Sequence, residues 1–325
     1  MKKTIRIGTR KSRLAVWQAQ RVAYLLRKNS PEIDVEVVGI STLGDRDKAT
    51  SLVGLGQVGV FTKEIEDALL DGRCDIAVHS FKDLATSLPD GLTIGAILER
   101  EDPRDVLISR DGHDLSRLPP GARIGTSSLR RRALLLHLRP DLEIVDLRGN
   151  VPTRLRAAGA QIDEGNEPTG EPIDGTVMAL AGLKRLGLDR YATETLDPDP
   201  FVPAPAQGAV AVEIRSDDEI AKILSALDHQ ETRLATTAER TFLRVMEGGC
   251  HIPLGAIATV EDDEIHLSGV VLSLDGKRVV RGDAGGGDPG EVGDLLAREL
   301  LTGGAQKILS EVANHIADCR GGEKR

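Results

Sequence analysis

Aromatic residues are scarce in this chain of 325 residues, at 2% of the total. That scarcity argues against a surface on which successive bases of a single-stranded nucleic acid would stack. A surplus of positive charge is also missing, because the formal net charge is −9. General polyanion binders usually carry an overall basic field, so any positive charge that serves function in this chain must be local.

Cysteine is rare as well, with Cys74, Cys250 and Cys319 far apart and without CxxC spacing. This pattern indicates free thiols in a reducing compartment and predicts neither a disulfide framework nor a metal site. No apolar run reaches the length of a signal peptide or a membrane span. We therefore expect a cytoplasmic protein that binds no membrane.

Short apolar runs alternate with helix-like stretches over most of residues 5–215. Because strands separated by helices are typical of parallel sheets, this part predicts an α/β fold. The proline-rich stretch 197–205 is expected to be a hinge or crossover, followed by a strand over 209–214. A helix over 231–246, three strands, a glycine-rich loop over 285–290 and one final helix predict a small separate α+β domain.

One short internal repeat favours two domains of similar plan. Residues 6–9 read Arg-Ile-Gly-Thr and recur at 123–126, and each copy leads from a strand into a serine-capped helix. Helix N-termini present unpaired N–H groups that bind anions. Two such turns facing each other would form an anion-binding cleft.

Arginine is concentrated at the strand-to-helix turns. Arg130, Arg131 and Arg132 fall in the first turn of a predicted helix, where cations oppose the helix dipole. Arg148 and Arg154 flank the next turn, and Arg10 and Arg13 flank the first helix start. A solvated basic face would explain any one of them. The set favours binding of carboxylate or phosphate groups. Because no GxxxxGK[ST] or GxGxxG run accompanies these arginines, a nucleotide is not favoured.

Two further segments carry candidate chemistry. Residues 79–83 follow a predicted buried strand, so Lys82 and Asp83 are expected at the ligand crevice, unless they form an ordinary surface pair. Cys250 follows two glycines and precedes His251, which could help to form a thiolate. A lone cysteine is more often an inert core residue, and Cys74 is interpreted in that way.

Six segments, in order along the chain, resemble the porphobilinogen deaminase (hydroxymethylbilane synthase) family: 7–12, 79–83, 125–131, 147–154, 181–186 and 247–250. The resemblance implies two periplasmic-binding-protein-like (type II) α/β domains that flank a cleft, and a small C-terminal α+β domain. The implied limits are 1–99 with 200–217 for the first domain, 100–199 for the second and 218–325 for the third.

The resemblance also implies an activity. The family joins four porphobilinogen molecules head to tail with release of ammonia, and then frees hydroxymethylbilane by hydrolysis. It builds the chain on a dipyrromethane cofactor held through a thioether to cysteine. A monomer that binds this small molecule and no nucleic acid is therefore expected.

Site residues follow by resemblance at matching positions. Cys250 would carry the cofactor, and Asp83, with Lys82 beside it, would assist loss of the amine and stabilise positive charge on the pyrrole. Lys82, Asp83, Ser128, Arg130 and Arg131 would bind the cofactor, with the arginines paired to its carboxylates. Arg10, Ser12, Arg148, Arg154 and Arg185 would pair with carboxylates of the substrate.

Four positions depart from the family pattern. Gly54 and Val58 stand where lysines are usual in a loop expected to act as a lid. Ala85 replaces a usual proline, and Ala206 replaces a usual glycine.

The main alternative to this enzyme is a non-catalytic anion-binding module of the same fold, because fold does not fix function.

Overall fold

The computed structural model describes residues 3–46, 62–162, 171–216, 219–246 and 252–322. These residues form two sheet-and-helix domains and a smaller third domain. A membrane span would need a longer or more apolar helix than any found in these ranges.

The first domain is a five-stranded sheet in the order β2-β1-β3-β10-β4. Its strands are β1 (Lys3–Arg10), β2 (Ile33–Ile40), β3 (Ile76–Ser80), β4 (Leu92–Ile97) and β10 (Val210–Arg215). Its helices are α1 (Arg13–Asn29), α2 (Leu43–Arg46) and α3 (Lys63–Leu70). The buried face of α1 packs on Ile5, Ile7 and Val78 of the sheet, which fixes one side of the first core.

The second domain repeats this plan with the order β7-β6-β8-β5-β9. Its strands are β5 (Asp105–Ser109), β6 (Arg123–Gly125), β7 (Glu143–Val145), β8 (Gly175–Ala179) and β9 (Glu194–Thr195). Its helices are α4 (Leu129–Leu138), α5 (Val151–Ala157) and α6 (Leu180–Leu186). The predicted fold class is therefore confirmed.

The expectation of purely parallel sheets is wrong for one strand in each sheet. Strand β10 runs antiparallel to β3 and β4, and β5 runs antiparallel to β8 and β9. In both cases the reversed strand is the first after the chain has crossed from the other sheet. It therefore enters its sheet from the opposite end.

The Arg-Ile-Gly-Thr repeat marks equivalent positions in the two sheets. The backbone N–H of Arg6 donates to Asp75 at 2.8 Å, and that of Arg123 donates to Asp174 at 2.7 Å. Each aspartate immediately precedes the strand that pairs next to the repeat. The similarity predicted from four residues thus extends to a shared contact between neighbouring strands.

The third domain is an antiparallel sheet covered by helices. It comprises β11 (Leu254–Glu261), β12 (Glu264–Leu272) and β13 (Val279–Gly286), with α7 (Ala221–Leu224), α8 (Gln230–Val245), α9 (Pro289–Leu300) and α10 (Gln306–Gly322) in this part of the chain. Phe242 and Leu296 pack between the helices and the sheet. By contrast, Leu224 of α7 packs in the first core.

Glu239 of α8 connects the third domain to both crossings between the first two. Its carboxylate is fully buried and accepts hydrogen bonds from Arg100 at 2.6 and 3.1 Å, from the backbone N–H of Ala206 at 2.6 Å and from that of Ala258 at 2.8 Å. Ala206 has φ +60°, a left-handed conformation that favours glycine. The departure at this position therefore places an alanine where the backbone suits the family's usual glycine.

We expect Gly208→Ala to lower the free energy of unfolding by about 3 kcal/mol or more, the range of severe backbone strain and overpacking. Gly208 has φ +91°, and a Cβ there would lie 2.2 Å from the carbonyl oxygen of Glu101. Urea unfolding would measure the change. Gly187→Ala is the matched control, since Gly187 has φ +67° with nothing within 4 Å, and should cost only about 1 kcal/mol. Equal losses in the two variants would contradict the clash.

Candidate active site

The segment 79–83 forms the end of β3 and a tight helical turn over Phe81–Asp83. Phe81 is buried and anchors the turn. Arg240 of α8 lies over its ring, 4.3 Å from the centroid, and donates a hydrogen bond to the carbonyl oxygen of Leu84 at 2.9 Å. Asp83 is exposed and Lys82 is half-buried. The third domain thus holds the turn that presents both candidate catalytic side chains.

Lys82 lies in an environment that disfavours its charge. Its Nζ donates a hydrogen bond to Gln207 Oε1 at 3.0 Å. Burial, and then the charge of Arg131, lower the pKa of Lys82 to about 8, although Asp83 and Asp105 act in the opposite direction. The side chain is therefore a cation whose charge an additional anion would stabilise.

Arg130 and Arg131 are buried against Asp105 at the start of β5. Arg130 Nη1 lies 2.8 Å from one carboxylate oxygen and Arg131 Nη2 lies 2.7 Å from the other. Burial alone would raise the pKa of Asp105, but the two guanidinium groups outweigh it and lower that pKa far below its usual value. With 4% and 6% of their surfaces exposed, these two arginines do not belong to a solvated basic face.

Gln207 joins this ion triad to the catalytic turn. Its Nε2 donates to Asp105 Oδ1 at 3.0 Å while its Oε1 accepts from Lys82. Gln207 is fully buried and lies in the crossing that returns to the first sheet. Asp105, Gln207 and Arg240 were not predicted as site residues. An acidic residue that opens an otherwise apolar strand was the one available signal for Asp105.

Serine caps begin both helices at the site, as the sequence predicts. Ser12 Oγ accepts from the N–H of Ala15 at 3.3 Å, and Ser128 Oγ accepts from the N–H of Arg131 at 3.4 Å. A small pocket brings Arg10 and Ser12 together with Asp83. It is further lined by Leu14, Ala15, Gln18, Thr62, Val78, His79 and Ser80.

Arg154 of α5 belongs to the same electrostatic environment. Its Nε donates to the carbonyl oxygen of Gly149 at 2.9 Å. Burial, and then the charge of Arg131, lower the pKa of Arg154 to about 10, with a smaller contribution from Arg148 in the same direction and with Asp83 opposing it. Arg154 therefore interacts electrostatically with Arg131, Arg148 and Asp83, and Lys82 interacts with Arg131 and Asp83.

Arg185 lies where the first two domains meet. Its Nη2 donates to the carbonyl oxygen of Gly208, and its guanidinium carbon lies 5.7 Å from the centroid of the Trp17 ring of α1. Burial lowers the pKa of Arg185 to about 10, although Glu101 raises it. The guanidinium of Arg185 therefore already has partners within the protein. Binding of substrate by Arg185 stays a prediction.

The described residues include Cys74 but not Cys250. Cys74 is fully buried, and burial, with Asp75 adding to it, raises the pKa of its thiol to about 11. The interpretation of Cys74 as a core residue is therefore confirmed, and the raised pKa disfavours a reactive thiolate. Cys250 lies outside the described residues, between the end of α8 and the start of β11. Gly54 and Val58 of the expected lid also lie outside the described residues.

Comparison with known proteins gives consistent matches along the chain. Residues 5–222 match the family model described as "Porphobilinogen deaminase, dipyromethane cofactor binding domain", and residues 233–302 match its C-terminal domain. A porphobilinogen deaminase of Pelotomaculum thermopropionicum is 49% identical over 95% of this chain and 97% of its own length. One from Carboxydothermus hydrogenoformans is 50% identical over 96% and 98%. Among solved structures, the methionine binding protein MetQ has a TM-score of 0.42 at 16% identity, covering 71% of this chain and 92% of that one.

Proposed function

Since this chain belongs to the porphobilinogen deaminase family, we propose that it extends a pyrrole chain from Cys250 past Asp83, in a site rich in buried cations. The protein is an enzyme, a transferase of tetrapyrrole biosynthesis with a dipyrromethane cofactor and porphobilinogen as its substrate. The alternative of a non-catalytic binding module is not favoured.

The pocket that brings Arg10 and Ser12 together with Asp83 is the observation that carries the proposal, and the lowered pKa values of Lys82 and Arg154 support it. Both are lowered first by burial and then by the charge of Arg131. A site that concentrates cations in this way is suited to an anionic ligand, because carboxylates would offset their mutual repulsion. Arg131 Nε is also buried without a hydrogen-bond partner in the described part of the chain. This chemistry fits pyrrole rings that carry carboxylate groups.

The site residues would have separate roles in binding the cofactor and in the reaction. Lys82, Asp83, Ser128, Arg130 and Arg131 would hold the dipyrromethane group, and Cys250 would anchor it. When bound, this group supplies the pyrrole carbon to which the first substrate is joined. The carboxylate of Asp83 would stabilise the positive charge that develops on the substrate as its amine leaves, and would accept or return a proton at its oxygen atoms.

The substrate carboxylates would pair with side chains from both domains. Arg10 and Ser12 share a pocket with Asp83. Arg148, Arg154 and Arg185 would contribute from the second domain. Residues from both sides would thus hold the substrate while one carboxylate serves every repeat of the reaction.

We also propose the domain limits 1–99 with 200–217, 100–199 and 218–325. The grouping of β1–β4 with β10 in one sheet and β5–β9 in another supports them. A cytoplasmic monomer that binds neither nucleic acid nor membrane remains part of the proposal, supported by the acidic net charge and by the reduced cysteines expected from the sequence.

Intact-protein mass spectrometry tests the anchor. The purified wild-type protein should exceed its sequence mass by two linked pyrrole units, and Cys250→Ser should lack this excess because it has no thiol to form the thioether. Cys319→Ser is the control and should retain it. A folded but unmodified wild-type protein, made in cells that synthesise haem, would count against the assignment.

A further inference from the structure

The side-chain amide of Gln207 bridges the first two domains. Gln207 is fully buried in the crossing that returns the chain from the second sheet to the first. Its Oε1 accepts a hydrogen bond from Lys82 Nζ of the first domain at 3.0 Å. Its Nε2 donates to Asp105 Oδ1 at 3.0 Å and to the carbonyl oxygen of Pro103 at 2.7 Å, where β5 of the second domain begins. One amide therefore contacts both the turn that presents Asp83 and the carboxylate that pairs with the buried arginines.

These partners leave the amide of Gln207 one favourable orientation. An amide nitrogen carries two donors, and both have acceptors in Asp105 and Pro103. A flipped amide would place its oxygen against these two acceptors and its nitrogen against Lys82. The pKa of Lys82, lowered by burial to about 8, leaves this side chain mainly an ammonium without an acceptor at neutral pH. Because unmet buried polar groups are costly, the oxygen of Gln207 is held facing Lys82.

The backbone of Gln207 is fixed as well. Its carbonyl oxygen accepts a hydrogen bond from Arg100 Nε at 2.8 Å. Arg100 is in turn bonded to Glu239 of α8, which also accepts from the N–H of the preceding residue, Ala206. Side chain and backbone are thus both constrained by buried partners. Such constraint is what holds a group in a site at a defined place.

We propose that Gln207 is a positioning residue: its amide holds the amine of Lys82 at a fixed place relative to Asp105 and the arginines paired with it, so that both domains meet the dipyrromethane group in one arrangement. The positive charges of Lys82 and Arg131 repel each other, and Lys82 is only half-buried. Without the acceptor on Gln207, Lys82 would be free to turn away from these cations. This inference rests on the proposed role of Lys82 in holding the cofactor.

Steady-state kinetics of the holoenzyme tests this role, with rates corrected by intact mass for the fraction of protein that carries the cofactor. Gln207→Met keeps the length of the side chain without the amide and should lower kcat about tenfold, because small displacements of a binding group cost rate. KM for porphobilinogen should change less than about twofold. In the described part of the chain, Gln207 is not among the residues that line the pocket of Arg10 and Ser12.

A double-variant cycle separates positioning of Lys82 from support of the fold. In a Lys82→Met background, Gln207→Met should lower kcat by a further factor of less than about two, because the side chain through which Gln207 acts is already gone. A purely structural role would cost the same factor in both backgrounds.

The reactivity of Lys82 gives a readout that does not depend on turnover. At pH 7 the rate of acylation of Lys82, measured by peptide mass spectrometry, should rise at least about threefold in Gln207→Met, because loss of an acceptor disfavours the ammonium form. Thr236→Val is the control: Thr236 is fully buried, and its hydroxyl donates to the carbonyl oxygen of Thr232 at 2.6 Å within α8. It should change neither kcat nor the acylation of Lys82.

Three results would overturn the proposal: a wild-type kcat in Gln207→Met, an equal loss of kcat in both backgrounds, or an unchanged rate of acylation. If Gln207→Met does not fold, Gln207→Asn takes its place and is held to the same outcomes, since an amide one methylene shorter cannot bridge Lys82 and Asp105. A wild-type protein without the mass excess of the cofactor and without turnover would instead refute the proposed function.

Discussion

Asp83→Asn is expected to lower kcat at least about 100-fold while the protein stays folded, the loss typical of removing a group that transfers protons in the reaction. The amide has nearly the same shape as the carboxylate, but it neither accepts a proton at neutral pH nor stabilises positive charge on the substrate. Asp83 shares its pocket with Arg10 and Ser12, so the change falls where the substrate is proposed to bind. Single-turnover measurements would separate the chemical step from binding.

The fold should tolerate this change because the turn does not depend on Asp83. Its side chain is exposed, whereas Phe81 is buried and Arg240 bonds to the carbonyl oxygen of Leu84. Substitutions of exposed side chains usually change the free energy of unfolding by no more than about 0.5 kcal/mol. Loss of the Asp83 charge should also lower the pKa of Lys82 further, because Asp83 raises that pKa in the wild-type protein.

Asp90→Asn provides the matched control for Asp83. Asp90 is likewise an exposed aspartate of the first domain, close to the start of β4. It should retain wild-type kcat and KM. A kcat of Asp83→Asn within about twofold of wild type would remove Asp83 from the catalytic role, whatever the state of the cofactor.

The parts of the fold that the sequence predicts are those with a local signal. Ser12 and Ser128 are recognisable as helix caps from their own neighbourhoods, and the Arg-Ile-Gly-Thr repeat indicates two sheets of one plan. The reversal of β5 and β10 has no such signal, because an apolar run does not encode the direction of its strand. It follows from the crossings between sheets, which are a property of the whole chain.

Two predictions of secondary structure at glycine residues of the third domain are wrong. Gly285 and Gly286 were expected in a loop but form the end of β13, where pairing with β12 outweighs a low strand propensity. The single final helix is interrupted between α9 and α10 at Gly304, whose φ of +114° is not helical. The first outcome depends on pairing with a neighbouring strand, which propensity does not include.

In the candidate site, too, some residues have a local sequence signal and others have none. The arginine-rich turn and the Lys82–Asp83 pair are visible in the sequence as dense polar residues after apolar strands. The partners that hold them are not, because Asp105 and Arg131 are 26 residues apart and Lys82 and Gln207 are 125 apart. The sequence therefore indicates the candidate catalytic side chains, while the structure shows the buried groups that contact them.

Asp105→Asn should lower the free energy of unfolding by about 3–5 kcal/mol, the cost of leaving a buried charge without its partner. The carboxylate compensates Arg130 and Arg131, and all three side chains are at most 7% exposed. An amide of the same size would leave both guanidinium groups buried with no counter-charge at position 105. Urea unfolding at neutral pH would measure the loss, and a free energy of unfolding equal to that of wild type would be inconsistent with it.

A control variant and the pH dependence test whether the loss of stability comes from the buried ion triad of Asp105. Asp141→Asn removes the carboxylate of a surface pair with Arg139 in the same domain, at 2.6 Å, and should cost no more than about 1 kcal/mol. Because the folded-state pKa of Asp105 is lowered, its stabilising contribution is present above the unfolded pKa of about 3.9 and is lost as the pH falls towards the folded value. The difference in stability between wild type and Asp105→Asn should therefore persist at neutral pH and shrink in acid below about pH 4. A difference that does not depend on pH in that range would show that the ion triad is not its source.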